Sequence, residues 1–224
     1  MIGYEVIASG SKGNAVVING RTLIDCGVPF KALESVYRGL SLVLLTHAHT
    51  DHFNRATIRR LARERPTLRW GCPQYLAADL IDCEVKPRSV DIYHMNGGAN
   101  KYIYAGLAVE PFALIHDVPN VGYKICDGGG RLFYATDTNT LDGIEAKGYD
   151  LYMVEANYGE AEIAERIRRK QDAGEYVHEW DVLENHLSEE KALDFIYRNI
   201  GADGRYVLMH QHEETGGAPG PDGS

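Results

Sequence analysis

The sequence predicts an α/β fold in which two β-sheets lie face to face with helices outside, a four-layer αβ/βα sandwich. Three observations predict it. Short strand-like runs dominate the beginning and middle of the chain, helical patterns are interspersed among them, and one run is apolar on both faces. Composition alone does not separate this layout from other α/β arrangements.

The elements follow in order. Tyr4 to Ala8, Ala15 to Ile18 and Thr22 to Asp25 are bounded by Gly, Ser or Asn and read as a meander. Leu42 to Thr46 has the pattern of a strand covered on both sides. A helix is predicted over Arg55 to Glu64. Asn54 caps it, Ile58, Leu61 and Ala62 share one face, four arginines line the other, and Pro66 ends it. Leu107 to Ile115, Val121 to Cys126 and Arg131 to Thr136 read as strands, the last two joined by a hairpin at Gly128-Gly129-Gly130. Leu151 to Glu155 is a further strand. Helices are predicted at Glu160 to Lys170 and at Glu189 to Asn199, the second capped by Ser188 and ended near Gly201. Tyr206 to Met209 is the last strand.

At 224 residues, with 44% hydrophobic and 25% charged residues, the chain fits one domain with a core of normal size. We expect residues 1–213 to form it and residues 214–224, rich in Gly and Pro, to form a flexible tail. There is no internal repeat of fixed period. The net charge of −9 favours solubility and works against wrapping long polyanions, so recognition of nucleic acid or nucleotide has to be local and helped by metal. Cys26, Cys72, Cys83 and Cys126 form no CxxC pair and read as small buried thiols. No signal-peptide pattern and no apolar run of ~18 residues is present, so a cytoplasmic protein with no membrane partner is expected. A homodimer is admissible.

Thr46-His47-Ala48-His49-Thr50-Asp51-His52 is the most informative stretch. In extended backbone, residues i, i+2 and i+4 point the same way, so His47, His49 and Asp51 are expected to converge at the strand end, with His52 joining from the next turn. Neutral imidazole suits zinc and other first-row metals, and a carboxylate adds charge compensation. Further donors are expected where later strands end, at His116, Asp137 and His210. Arg166 to Lys170 is the one dense basic cluster. A solvated helix face is its default reading and a phosphate clamp the alternative. Ser9 to Asn14 reads as a hairpin turn rather than an anion cradle.

With Asp25, His47-x-His49-x-Asp51-His52, His116 and Asp137, the chain resembles the metallo-β-lactamase superfamily from about Tyr4 to His212. It is most similar to the WalJ/YycJ-like branch, on Ser9-Gly10-Ser11-Lys12-Gly13-Asn14, His116-Asp117-Val118-Pro119-Asn120-Val121-Gly122-Tyr123, Glu155-Ala156-Asn157-Tyr158 and His186-Leu187-Ser188. The tRNase Z-type phosphodiesterases share a related late pattern. The resemblance implies the metallo-β-lactamase fold and two divalent ions, zinc or manganese. One would be held by His47, His49 and His116, the second by Asp51, His52 and His210, with Asp137 bridging. It further implies that Asp25 orients a ligand histidine and that Glu155 and His186 relay a proton to the leaving oxygen. Two departures stand out: Asn185 replaces the usual Gly before the relay histidine, and His210-Gln211-His212-Glu213 makes His212 a rival to His210 as last ligand.

These expectations join in one reaction: hydrolysis of a phosphodiester by a water activated between two metals, with Asp51 assisting attack. Asp137 stands where zinc β-lactamases use Cys, which argues against antibiotic hydrolysis. A nuclease acting on DNA or RNA is the leading reading and a cyclic-nucleotide phosphodiesterase the alternative. A thioester or lactone hydrolase of the same fold and a non-catalytic, metal-containing binding module are the remaining ones.

Overall fold

Alternation along the strands decides which side chains meet. The computed structural model describes residues 1–95 and 100–211. A first sheet is formed, in spatial order, by β1 (Tyr4–Ala8), β2 (Ala15–Ile18), β3 (Thr22–Ile24), β4 (Leu42–Leu44), β5 (Arg69–Pro73) and β6 (Val90–Tyr93). A second contains β7 (Tyr102–Tyr104), β8 (Leu107–Leu114), β9 (Asn120–Asp127), β10 (Gly130–Ala135), β11 (Leu151–Glu155) and β12 (Arg205–Met209), again in sequence order across the sheet. In β4, Leu42 and Leu44 face the second sheet while Val43, followed by Leu45, faces outward. In β10 and β11, Leu132, Tyr134, Leu151 and Met153 enter the core between the sheets, while Phe133, Ala135, Tyr152 and Val154 face the other way. This period of two puts apolar side chains on both faces of both sheets, so each outer face needs a cover.

Helices supply the covers. Ile58 and Leu61 of α1 (Arg55–Glu64) and Leu80 of α2 (Ala77–Asp82) pack with Val43, Leu45 and Trp70 outside the first sheet. Ala192, Phe195 and Ile196 of α5 (Glu189–Asn199) pack with Phe133 and Tyr152 outside the second. Asn54 accepts from the Thr57 N–H at 3.1 Å and Ser188 from the Lys191 N–H at 3.2 Å, as predicted for the caps of α1 and α5. The four layers are the architecture predicted from the sequence.

Several elements lie beyond that prediction: β5, β6, β7, α2 and α4 (Glu179–Asn185). The helix predicted over Glu160 to Lys170, here α3 (Glu160–Ala173), runs three residues further and is stopped by Gly174 in the left-handed conformation. Four strands end earlier than predicted, β8 at Leu114 and β10 at Ala135 by one residue each, and β3 and β4 for reasons the contacts show. β3 stops at Ile24 because Asp25 takes φ +60°, and β4 stops at Leu44 because the Thr46 N–H bonds the Asp25 side chain instead of a neighbouring strand. Cys26, Cys72 and Cys83 are buried as expected, whereas Cys126 is half-buried, and all four are free thiols. No helix among the described residues is long and apolar enough to cross a membrane. The tail expected over residues 214–224, and His212, lie outside the described residues.

Strand direction now fixes one edge of the sandwich. β3 and β4 are parallel, as are β10, β11 and β12, and two antiparallel steps return β8 to the direction of β10. Asp25, His47, His116, Asp137, Glu155 and His210 therefore all lie where these strands end.

Candidate metal centre

Three of these strand ends carry non-glycine residues in the left-handed region: Asp25 (φ +60°), Asp137 (φ +58°) and His210 (φ +51°). That conformation is unfavourable for side chains with a Cβ and persists only where surrounding contacts impose it. Here the contacts are visible. The Asn120 amide donates to the Thr136 and Asp137 carbonyls at 2.8 and 2.6 Å. The His210 N–H donates to Ser9 Oγ at 2.6 Å, and its carbonyl accepts from Asn157 Nδ2 at 3.1 Å.

The imidazoles and carboxylates gather in three overlapping groups whose donor atoms all lie within 4.8 Å of one another: His47, His49 and His116; His47, His52 and Asp137; and Asp137, Glu155, His186 and His210. The first is the trio predicted to share an ion. The second and third share Asp137, the residue predicted to bridge, and the third contains His210. Asp51 falls in none of the three. Its Oδ2 lies 3.6 Å from His52 Nε2 and 3.3 Å from Asn14 Nδ2, beside the cluster. Strand periodicity is not what brings His47, His49 and Asp51 to this edge, because no strand continues there: the chain turns, and the His49 carbonyl accepts from the His52 and Phe53 N–H groups, while His49 and Asp51 line the same opening.

Tautomers follow from the outer contacts. Asp25, fully buried, accepts from the Thr46 N–H at 2.9 Å and from His52 Nδ1 at 2.7 Å, which leaves His52 Nε2 facing the cluster. The Asn185 carbonyl accepts from His116 Nδ1 at 3.1 Å, which leaves His116 Nε2 toward the cluster, 3.3 Å from His49 Nδ1; Asp117 Oδ1 sits beside both rings, 3.1 Å from His116 Nε2 and 3.4 Å from His49 Nε2.

Electrostatics and orphaned atoms test whether cations fit. Burial, helped by His52, pushes His47 down to about 2, so it stands as neutral imidazole, the ligand form. Burial likewise lowers His116. Burial opposes a charge on His52, but Asp137 and Asp25 on either side raise it well above its usual range; a cation at Nε2 would replace that proton. Burial would raise the Asp137 carboxyl, yet His52 and His210 hold it well below the usual carboxylate range. His47 Nε2, Asp137 Oδ2 and His210 Nδ1 are all buried without a hydrogen-bond partner. Asp137 Oδ2 is only 3.1 Å from His52 Nε2 and Asp137 Oδ1 only 2.8 Å from His210 Nδ1, but neither orphaned atom is aligned for a bond. Lone pairs that crowd together yet miss each other suit divalent ions among them. The residues present fit the group.

Glu155 and His186 differ from that set. His186 Nδ1 is hydrogen-bonded to Glu155 Oε1 at 2.5 Å, whereas Asp137 Oδ2 and His210 Nδ1 have no such partner. They are a bonded pair beside the centre. Burial, with Asp137 adding to it, raises Glu155 well above its usual range, and burial lowers His186.

An opening of about 220 Å³ leads in, bordered by Ser11, Asp51, Asp117, Asp181 and His186 among others. A larger cavity of about 780 Å³, near Lys124, Cys126 and Arg131, lies at the far ends of β9 and β10 and contains none of these residues. The predicted basic cluster does not reach the opening as a patch. Lys170 is tied to Glu179 at 2.7 Å, Arg166 lies 3.4 Å from Glu162, and Arg168 pairs with Glu165. The Ser9 to Asn14 turn closes on itself, Asn14 bonding Gly10 in both directions. Sequence reasoning missed Thr46, Asn14 and Asp181 as site residues. It quoted Ser9, Asn120 and Asn157 within motifs without seeing that they hold the backbone at donor positions.

Comparison with known proteins places this geometry. Residues 21–210 match the family described as the Beta-lactamase superfamily domain. Exodeoxyribonuclease YycJ of Bacillus anthracis is 23% identical over 174 residues, covering 69% of this chain and 62% of that protein, so the chain spans less than two thirds of that relative's length. The metallo-β-lactamase fold protein YhfI of Bacillus subtilis superposes with a TM-score of 0.69 at 15% identity, over 94% of this chain and 86% of that one. The short form of human tRNase Z gives 0.67 at 16% identity, over 94% and 92%. At such identities the structural likeness shows the fold. With the family match over most of its length, the chain belongs to the metallo-β-lactamase superfamily.

Proposed function

We propose that this chain is a metal-dependent phosphodiester hydrolase with two divalent ions, zinc or manganese, in the His/Asp cluster. His47, His49 and His116 would hold one ion, and His52 and His210, with Asp51 alongside, the other, Asp137 standing between. Bound there, divalent ions supply an activated water and neutralise charge on a phosphoryl oxygen.

The observation that carries the reading is the Glu155–His186 bond beside the cluster and at the opening. With Nδ1 committed to Glu155, Nε2 is the nitrogen left to deliver a proton. A raised carboxyl bonded to a lowered imidazole shares one proton readily. That device serves a poor alkoxide leaving group, which a phosphodiester has and a thioester, whose thiolate departs readily, lacks. Asp51, at the opening and 3.6 Å from His52 Nε2, is the carboxylate placed to orient the attacking water. The names of two similar proteins, an exodeoxyribonuclease and a tRNase Z, support the nuclease form of this reading. A small diester such as a cyclic nucleotide is the second form, favoured by the charge of the opening.

Turnover of a bis-aryl phosphodiester by metal-loaded protein, with metal content measured per chain, tests the proposal. About two ions per chain and at least a hundredfold loss in Asp51→Ala are expected. Less than one ion, or an unchanged rate in that variant, would refute it.

A further inference from the structure

The described residues that line the opening include four carboxylates, Asp51, Asp117, Asp137 and Asp181, and no lysine or arginine. Lys12, next to Ser11, lies outside the lining and is engaged by a partner. Asp51 and Asp137 belong to the centre, whereas Asp117, with a side chain 49% exposed, and the exposed Asp181 form the rim. They come from different elements: Asp117 from the turn after β8, Asp181 from α4. That helix is held in place by the Lys170–Glu179 ion pair, Glu179 being buried, and by the Asn185 carbonyl on His116. The rim guards a ligand site and is not merely an acidic patch, because the unpartnered Asp137 Oδ2 and His210 Nδ1, on residues 2% and 5% exposed, line the same opening.

We propose that Asp117 and Asp181 are an electrostatic filter. They admit diesters whose one negative charge is the reacting phosphate and penalise chains that carry further phosphates on either side. The proposal rests on the phosphodiester reading and names its substrate class. A nucleic acid strand with one phosphate at the centre brings its neighbours to the rim, since the charges repeat every few ångströms. At ~7 Å, one carboxylate–phosphate repulsion is worth roughly threefold in bulk water and tens of fold at the lower effective dielectric of a protein surface. The ions would meet the phosphate at the centre, no lysine or arginine of the lining offsets the repulsion at the rim, and the chain as a whole carries −9. Proteins that grip polyanions show the opposite arrangement, and their binding falls as salt rises.

The test uses the full metal-loaded chain and compares kcat/KM on bis(4-nitrophenyl) phosphate with kcat/KM on a short single-stranded oligonucleotide. The proteins are wild type, Asp181→Asn, Asp181→Lys and Asp117→Asn, with metal content measured in each. The oligonucleotide-to-aryl ratio should rise roughly three- to tenfold in each Asn variant and further in Asp181→Lys. Wild-type oligonucleotide turnover should rise between about 50 and 200 mM salt as the repulsion is screened. A ratio constant within about twofold, or wild-type oligonucleotide turnover that falls steeply with salt, would overturn the filter while leaving the hydrolase reading intact. Fully metal-loaded protein that turns over neither diester would sink the hydrolase reading, and the filter with it.

Discussion

Asp25→Asn isolates the charge that sets the tautomer of His52. The backbone is not the variable, because Asn tolerates the φ of +60° at this position at least as well as Asp. Nor is volume. What changes is the second oxygen. The Thr46 N–H donates to Asp25 Oδ1 at 2.9 Å, so in the variant the amide oxygen has to stay there and the NH₂ takes the place of Oδ2, 2.7 Å from His52 Nδ1. Two N–H groups then face each other unless His52 moves its proton to Nε2, and that removes the lone pair aimed at the cluster. Losing an oriented, charge-assisted bond of this kind is worth about 1.5–3 kcal/mol, and comparable changes behind ligand histidines weaken metal affinity about 10–100-fold, two magnitudes that agree. Zinc affinity is read by competition with a chromophoric chelator, and denaturant unfolding of chelator-stripped protein reports the fold separately. The Asn variant should lose 10–100-fold in affinity with a smaller change in metal-free stability. Asp25→Ala should also destabilise the metal-free fold, since it leaves the Thr46 N–H buried without an acceptor. Metal affinity of the Asn variant within about twofold of wild type would refute the tautomer argument.

Three other outcomes follow from the same geometry. Gly27→Ala would place a Cβ 1.6 Å from the Asp51 carbonyl oxygen and 2.7 Å from the His52 nitrogen, both backbone atoms, so the ligand turn has to move. A loss of about 1–3 kcal/mol and at least tenfold weaker metal binding are expected, read by denaturant midpoint and chelator competition; retention of both would count against the close approach. His186→Asn should cut kcat by about 10²–10⁴ on a diester with an alkyl leaving group but only a few-fold on a nitrophenyl one, with metal content unchanged. Equal losses on both substrates, with lost metal, would make His186 a ligand and not an acid. Stripping metal should lower stability by about 2.7 kcal/mol relative to protein at free metal 100 times its dissociation constant, seen as a lower thermal midpoint restored on reloading.

How much of this was legible in the sequence depends on which atoms do the work. The side-chain donors His47, His49, His52, His116, Asp137 and His210 were legible because imidazole and carboxylate recur at the ends of apolar runs, and a period of two says where such runs end. Asp51 shows the limit: a period of two holds only while the strand lasts, and beyond Leu45 the chain turns through the His49 carbonyl. The Asn185 carbonyl on His116 left no trace, because a backbone acceptor has no residue signature. β5 was missed because Gly71 and Pro73 break the strand pattern of Arg69–Pro73, although Trp70 and Cys72 are buried in it. α4 was missed because seven residues, mostly polar, form no apolar stripe long enough to read. Asp181 rides on that helix, so the acidic rim stayed invisible until the fold placed it.

The strain and the orphaned atoms lead to one further step. Buried polar atoms without partners cost roughly 1–3 kcal/mol each, and three of them meet at this centre. Asp25, Asp137 and His210 add left-handed backbone at the same place. Together these penalties approach the net stability of an ordinary domain, about 5–15 kcal/mol. The surrounding layers have to over-stabilise the edge for it to persist, and they do: Leu44, Leu132, Tyr134 and Met153 beneath it are fully buried, and Asn120, Asn157 and Ser9 fix its backbone from outside. A centre built at that cost is coupled to whatever satisfies it. Cations entering among His47, His52, Asp137 and His210 relieve the unmet lone pairs and the proton trapped on His52 together, so metal binding and folding of this edge should behave as one equilibrium. The rim is less tied to that economy. Asp181 is exposed on α4 and can lose its charge without disturbing the ligands, whereas Asp117 also touches His49 and His116, so substrate selection should be adjustable by single substitution most cleanly at Asp181.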